Sequence, residues 1–358
     1  MPQPGRRADR QAVCLALATM AFVVGCSSPS PPRVGFSHPI LPVASPTFLA
    51  PVEPTLRAEP QAHRLTEAGC CSRHWWSADA SRVLFLDDPP DDSPLGIYGV
   101  RPTGGEVEWV ASLDGEGLPP PDRSPDAHPE WGGDGPLPAE AQDIRISRDG
   151  TRAAWTTGGT LPVHIDRRQR TLWVIDGPTG SPRRLTVLTG GDLVGWAEGD
   201  QALIVTGRTS STAPAGIWRL PLDGSPPSLR ASVDRPRGLL VSPSGGWLAY
   251  TVAFDPEPGR NGLWVVGTSG GEPLRLPDFG SYRWGEEGQL VFVPYRPTAG
   301  ELLLEVFDAG TRRLWVVAEE AFPGGVANND WSVSPDGEWI VYRAAEDAAL
   351  WAFPIGAR

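Results

Sequence analysis

Ser334-Pro335-Asp336-Gly337-Glu338-Trp339-Ile340-Val341-Tyr342 is a tight turn that runs straight into an apolar strand. Proline presets φ at the second turn position, and Asp and Gly fill the polar and permissive ones. Trp339 to Tyr342 are β-branched or aromatic and read as strand. The chain restates the pattern. Ser147-Arg148-Asp149-Gly150 precedes Arg152-Ala153-Ala154-Trp155, and Ser242-Pro243-Ser244-Gly245 precedes Trp247-Leu248-Ala249-Tyr250. Looser copies begin at Ser77, Trp196 and Trp284.

Around each turn lies a longer unit of four strands. The third strands carry Ile97-Tyr98, Leu172-Trp173, Ile217-Trp218, Leu263-Trp264 and Leu350-Trp351, each followed by a glycine-bearing turn or the chain end. Fourth strands follow, as in Arg183-Arg184-Leu185-Thr186. Turn-to-turn spacing is about 42 to 50 residues, with one gap of about 70, which is a propeller period. Six units fit. The sixth ends one strand short, and His63-Arg64-Leu65-Thr66 resembles the fourth-strand segment at Arg183. The expected fold is all-β: a six-bladed β-propeller of four-stranded blades over residues 62–358, closed by an N-terminal strand that completes the last blade. Closure of this kind removes open sheet edges.

The repeated Ser-Pro-Asp-Gly-x-x-Ile-x-Tyr pattern resembles the WD-repeat-like β-propeller repeats of the TolB type, which also form the propeller half of prolyl oligopeptidase and dipeptidyl peptidase relatives. The resemblance covers about residues 63–358. It implies a fold and not an activity. On this reading the chain is expected to lack the N-terminal domain of TolB and to have no room for a hydrolase domain. A role as sensor or assembly factor for an envelope complex, the setting in which TolB works, is one option the resemblance opens.

Composition agrees with many short strands. The 358 residues include 42 Gly, 40 Pro and 15 Trp, so long helices are not expected. Every basic side chain is Arg, and the net charge is −12. Nothing concentrates the cations that phosphates need, so nucleic acid is not expected as a partner.

The N-terminus reads as an address. Arg6, Arg7 and Arg10 precede an apolar run from Ala12 to Val24, too short to span a bilayer and suited to a signal peptide. It ends in Val23-Val24-Gly25-Cys26, which looks like a bacterial lipobox. Residues 1–25 are then a lipoprotein signal peptide, and Cys26 carries the acyl chains of a membrane anchor. Residues 26–61 are crowded with Pro and Ser and read as a disordered tether. The expected location is the cell membrane or outer membrane, lipid-anchored on the extracytoplasmic side, with a monomeric propeller.

Candidate chemistry is sparse. Gly267-Thr268-Ser269-Gly270-Gly271 fits G-x-S-x-G, but it falls on a strand-to-strand turn where a nucleophile elbow needs strand-to-helix. The five His residues are scattered without metal-ligand spacing. No catalytic motif emerges, and the expectation is a protein that is not an enzyme. Repetition would bring Arg73, Asp143, Asp192, Gly238, Gly280 and Asp330 to one mouth of the central channel. Arg73, Asp143, Asp192 and Asp330 are therefore the candidate ligand-binding residues. The three carboxylates and one Arg could hold a polar ligand or, through the carboxylate oxygens, a hard cation such as Ca²⁺; otherwise the Asp residues cap strands or bond neighbouring blades. Two positions on, Trp75, Arg145 and Tyr282 either line the channel or pack between blades.

The long loops all belong to one face: Asp87 to Gly96, Ala111 to Gln142, Thr156 to Arg170, Thr206 to Ala215 and Ala253 to Asn261. Loops on a rigid scaffold carry binding more often than the scaffold does. The first two are acidic and the third is basic, so this face is expected to meet a protein or a cell-envelope component. The alternative is an enzyme or metal-dependent site at the channel mouth. Cys70 and Cys71 are adjacent, and outside the cytoplasm they would form a vicinal disulfide or stay as two buried thiols.

Overall fold

The computed structural model describes residues 61–71, 73–87, 94–112, 131, 137–159, 164–286, 288–296 and 302–355. Cys26, the segment expected to be a signal peptide, nearly all of the segment expected to be a tether, and most of the two acidic loops lie outside these residues. Among the described residues, no helix is long and apolar enough to cross a membrane.

Six four-stranded antiparallel sheets make up the described structure, the composition of a six-bladed propeller. A short strand β1 (His63–Arg64) comes first. The first sheet holds β2 (Arg73–Trp76), β3 (Val83–Asp87), β4 (Gly96–Val100) and β5 (Glu108–Ser112). The second holds β6 (Gln142–Ile146), β7 (Arg152–Gly158), β8 (Gln169–Asp176) and β9 (Arg183–Thr189). The third holds β10 (Leu193–Trp196), β11 (Ala202–Gly207), β12 (Gly216–Pro221) and β13 (Ser228–Ala231). The fourth holds β14 (Arg237–Val241), β15 (Trp247–Val252), β16 (Gly262–Gly267) and β17 (Leu274–Arg275). The fifth holds β18 (Gly280–Trp284), β19 (Gln289–Pro294), β20 (Leu304–Asp308) and β21 (Arg313–Ala318). The sixth orders β22 (Val326–Val333), β23 (Trp339–Ala344) and β24 (Leu350–Pro354) beside β1, with His63 opposite Ala352 and Arg64 opposite Trp351. The sixth inner strand starts at Val326, earlier than the Asp330 start expected from the repeat.

The repeated turn folds for a reason visible in its hydrogen bonds. Ser334 Oγ accepts from the Trp339 amide at 2.9 Å and donates to Asp336, whose Oδ1 accepts from the Glu338 amide at 3.0 Å. Ser147 and Asp149 repeat the arrangement with Arg152 and Thr151, and Ser77 and Asp79 with Arg82 and Ser81. Ser147 and Ser334 are buried, so each hydroxyl satisfies an amide that would otherwise be costly to leave unmade. Gly337 closes its turn at φ 74°; Ala80 occupies the same place in the first sheet at φ 58°.

The core lies between sheets. Leu172, Val174 and Leu188 of the second sheet pack with Leu203, Val205 and Trp218 of the third. Leu263 and Val265 of the fourth meet Phe292 and Phe307 of the fifth. Val341, Leu350 and Ala352 of the sixth meet Val83, Phe85 and Tyr98 of the first. Burying each such large side chain contributes about 1.5–3 kcal/mol. Inner strands are also tied directly. The indole N–H of Trp196 donates to the Arg145 carbonyl (3.0 Å), that of Trp284 to Leu240 (2.8 Å), and that of Trp331 to Ser281 Oγ (2.9 Å).

Candidate binding face around the inner strands

Within each antiparallel sheet, the connection from second to third strand leaves at the end where the first strand begins. The starts of β6, β10 and β8 therefore sit together, and this places the acidic candidates. β6 carries a bulge between Gln142 and Arg145, and Asp143 within it has φ 52°. Bulges re-aim side chains. Thr156 Oγ1, on β7, donates to Asp143 Oδ2 at 2.9 Å. In the next sheet, the equivalent Thr206 accepts from the Asp192 amide at 2.9 Å. Arg170, at the start of β8, bridges the two carboxylates. Its Nη1 bonds Asp143 and lies 2.9 Å from Asp192 Oδ1. Arg170 is buried, whereas Asp192 keeps half its side chain in solvent.

Asp330 has a different partner. It faces His74 of β2, with Nδ1 to Oδ1 3.7 Å, and the His74 side chain is 4% exposed. Burial holds the imidazole below its ordinary value, Asp330 pulls it up, and Arg343 pushes it down again. Next door, the Arg283 guanidinium stacks 5.0 Å over Trp331, and burial lowers its affinity for its proton. Arg73 is the exposed first residue of β2 and engages in its own interactions. Arg145 and Tyr282 take the interblade alternative. Arg145 Nε donates to the Val194 carbonyl at 2.9 Å, and the buried Tyr282 hydroxyl donates to Gly238 O at 2.6 Å.

The sequence did not point to Arg170, His74 or Arg283. Arg170 reads as one of several loop arginines, and only the register of β8 on β7 (Gly158 opposite Arg170) aims it inward. His74 looked isolated because its partner belongs to the last sheet.

On the same ends of the sheets, several large apolar side chains face solvent. Leu95 precedes β4, Phe254 lies between β15 and β16, Phe279 precedes β18, and Tyr295 and Leu302 lie between β19 and β20. Phe254 is 88% exposed and Tyr295 73%. Arg237 lies 5.7 Å over the Phe254 ring. Between the fourth and fifth sheets, Arg296 Nη2 binds Asp278 Oδ2 and Glu305 Oε1, both at 2.8 Å. Glu305 is 3% exposed, its Oε2 has no partner, and burial pushes its carboxyl above the ordinary value. Among the described residues, no group of three or more His, Cys, Asp or Glu is placed to hold a metal ion.

Cys70 and Cys71 are joined by a disulfide. They belong to the buried core between the first and last sheets.

No protein-family model matches the chain, and no curated protein matches it. Solved structures do. An oligogalacturonate lyase in complex with manganese is 14% identical, with a TM-score of 0.44 over 79% of this chain and 76% of that one. A putative TolB from Agrobacterium tumefaciens is 16% identical, with a TM-score of 0.37 over 82% and 91%. The β-propeller domain of the Trilobed protease from Pyrococcus furiosus is 11% identical, with a TM-score of 0.39 over 78% of each chain. The chain is thus similar to TolB proteins and to the propellers of prolyl oligopeptidase-like proteases, as its repeats suggested. One expectation is corrected. The absence of a catalytic motif led us to expect no enzyme, yet the matched structures include lyases, so that exclusion is withdrawn and enzymatic status is unresolved.

Proposed function

We propose that the protein is an extracytoplasmic lipoprotein, anchored through Cys26, whose propeller binds a protein or cell-envelope ligand through its loop-rich face. The ring closes through β1 as the fourth strand of the last blade. The observation that carries the binding reading is the composition of that face. Solvent-exposed Phe254 and Tyr295 stand on the ends of the sheets where Asp143 and Asp192 gather on Arg170. Exposed aromatics beside fixed polar groups are what an interface core and its orienting rim require. The lipobox Val23-Val24-Gly25-Cys26 and the basic flank before it support the anchor.

Cys26→Ser tests the anchor. Wild-type protein should take up labelled palmitate and fractionate with membranes, and the variant should do neither. A Cys26→Ser protein that still partitions with membranes after alkaline carbonate washing contradicts the lipid anchor.

A further inference from the structure

We propose that the Cys70–Cys71 disulfide is a thiol-exchangeable lock on the joint where the N-terminal strand meets the last sheet. β1 has only two residues in register with β24. It is held besides by the Leu65 amide on Leu350 O (2.8 Å), the Leu350 amide on Thr66 Oγ1 (2.9 Å), the Gly69 amide on Asp347 O (2.7 Å) and the Arg64–Asp347 ion pair (2.9 Å). On the N-terminal side, every one of these bonds is made by a residue from Arg64 to Gly69, just ahead of the disulfide. The chain then passes through Cys70 and Cys71 and enters β2, in the first sheet.

Both cysteines are 7% exposed and belong to one buried cluster with Leu65, Val83, Phe85 and Val341, which is drawn from both sides of the joint. Cys71 has φ 64°, a conformation that a side chain with a Cβ adopts rarely. Bonding two neighbouring cysteines ties their side chains and the intervening peptide into one eight-membered ring, so the backbone there loses its alternatives. Without the bond, Cys71 is free to return to negative φ. The path from β1 to β2 then changes direction, and the short β1–β24 ladder has little to resist it.

The exchange balances with a dithiol as reductant. One dithiol thiolate attacks a cysteine sulfur, forming a mixed disulfide and releasing the other cysteine as a thiol. The second dithiol sulfur displaces the first cysteine. Two electrons and two protons pass from the dithiol to Cys70 and Cys71, and the dithiol leaves as a cyclic disulfide.

The test uses the purified protein with dithiothreitol as the probe. Alkylation with and without reductant, read by mass spectrometry, reports the bond, and amide hydrogen exchange reports the joint. The expected result is protection of both cysteines from alkylation until dithiothreitol is added to the folded protein. Exchange at Leu65, Gly69 and Leu350 should then rise tenfold or more, with β7 and β8 unchanged. A Cys70→Ser/Cys71→Ser double variant should match the reduced protein without reductant. Should it not fold, the reduced wild type still gives the answer. Three results overturn the proposal: both thiols alkylating without reductant, a bond that dithiothreitol reduces only after denaturation, or joint amides that exchange equally in both states.

Discussion

Arg170 reaches from the second sheet to within 2.9 Å of Asp192 in the third while also bonding Asp143 of its own sheet. One buried guanidinium thus stands between a carboxylate on β6 and one immediately before β10. Arg170→Ala leaves Asp143 and Asp192 without their shared cation. It should cost about 2–3 kcal/mol, below the full penalty of a broken buried pair because both acids reach water. Asp192→Ala, which removes a half-exposed partner, should cost less than about 1 kcal/mol. Urea midpoints of the two variants check the order. Equal losses would mean that Arg170 acts through its packing alone.

The turns make an opposed pair of predictions. Gly337→Ala places a Cβ at φ 74° and 2.8 Å from the Glu286 amide nitrogen, so it should destabilise by more than about 1 kcal/mol. Ala80→Gly releases a residue already at φ 58° and should stabilise by about 0.5 kcal/mol, the lost methyl contact offsetting part of the gain. Thermal melting of both variants decides it.

Acid should act through the same turns. The Ser147 hydroxyl, then the Thr151 amide and hydroxyl, hold Asp149 at about 2, below its ordinary 3.8. A carboxylate whose folded value is depressed adds stability above its unfolded value and loses it as pH falls through the folded one. Wild-type stability should therefore drop between 3.8 and about 2, and Asp149→Asn should drop less over that interval. Urea titrations across that range test the slope.

Glu305 has the opposite sign. Burial raises its carboxyl above 4.5, with Arg296 pulling it back. Its stabilising share is present below the unfolded value and is lost as pH rises through the folded one. Glu305→Gln should therefore gain on wild type as pH climbs from about 4 toward neutrality. A wild-type advantage that grows with pH would show that the Arg296 pair outweighs burial.

The architecture was legible because its signals are local. Ser-x-Asp-Gly turns close within five residues, and the third-strand Ile-Tyr and Leu-Trp pairs fall on β4, β8, β12, β16 and β24 as expected. Even the affinity of His63-Arg64 for the last sheet was readable, since β1 resembles β9 in sequence. The mouth was not readable in the same way. Six positions taken from the repeat were expected at one mouth, and bulges interrupt the register at or beside four of them, Asp143, Asp192, Gly238 and Asp330. Arg170, which binds Asp143 and Asp192, comes from a third strand, and His74, which faces Asp330, comes from the far end of the chain. A repeat predicts what every unit shares; side chains unique to one unit are placed by register and by neighbours across the joint.

On the proposed function, the loop-rich face receives the partner. Site-specific photocrosslinking in cells tests it most directly, with a benzophenone side chain at Phe254 or Tyr295 on that face and at Asp223 or Gly310 on the tight-turn face. One discrete adduct is expected from Phe254 and Tyr295, weakened by Asp143→Ala/Asp192→Ala, and none from Asp223 or Gly310. Adducts of equal yield from both faces, or from Asp223 and Gly310 alone, would contradict it.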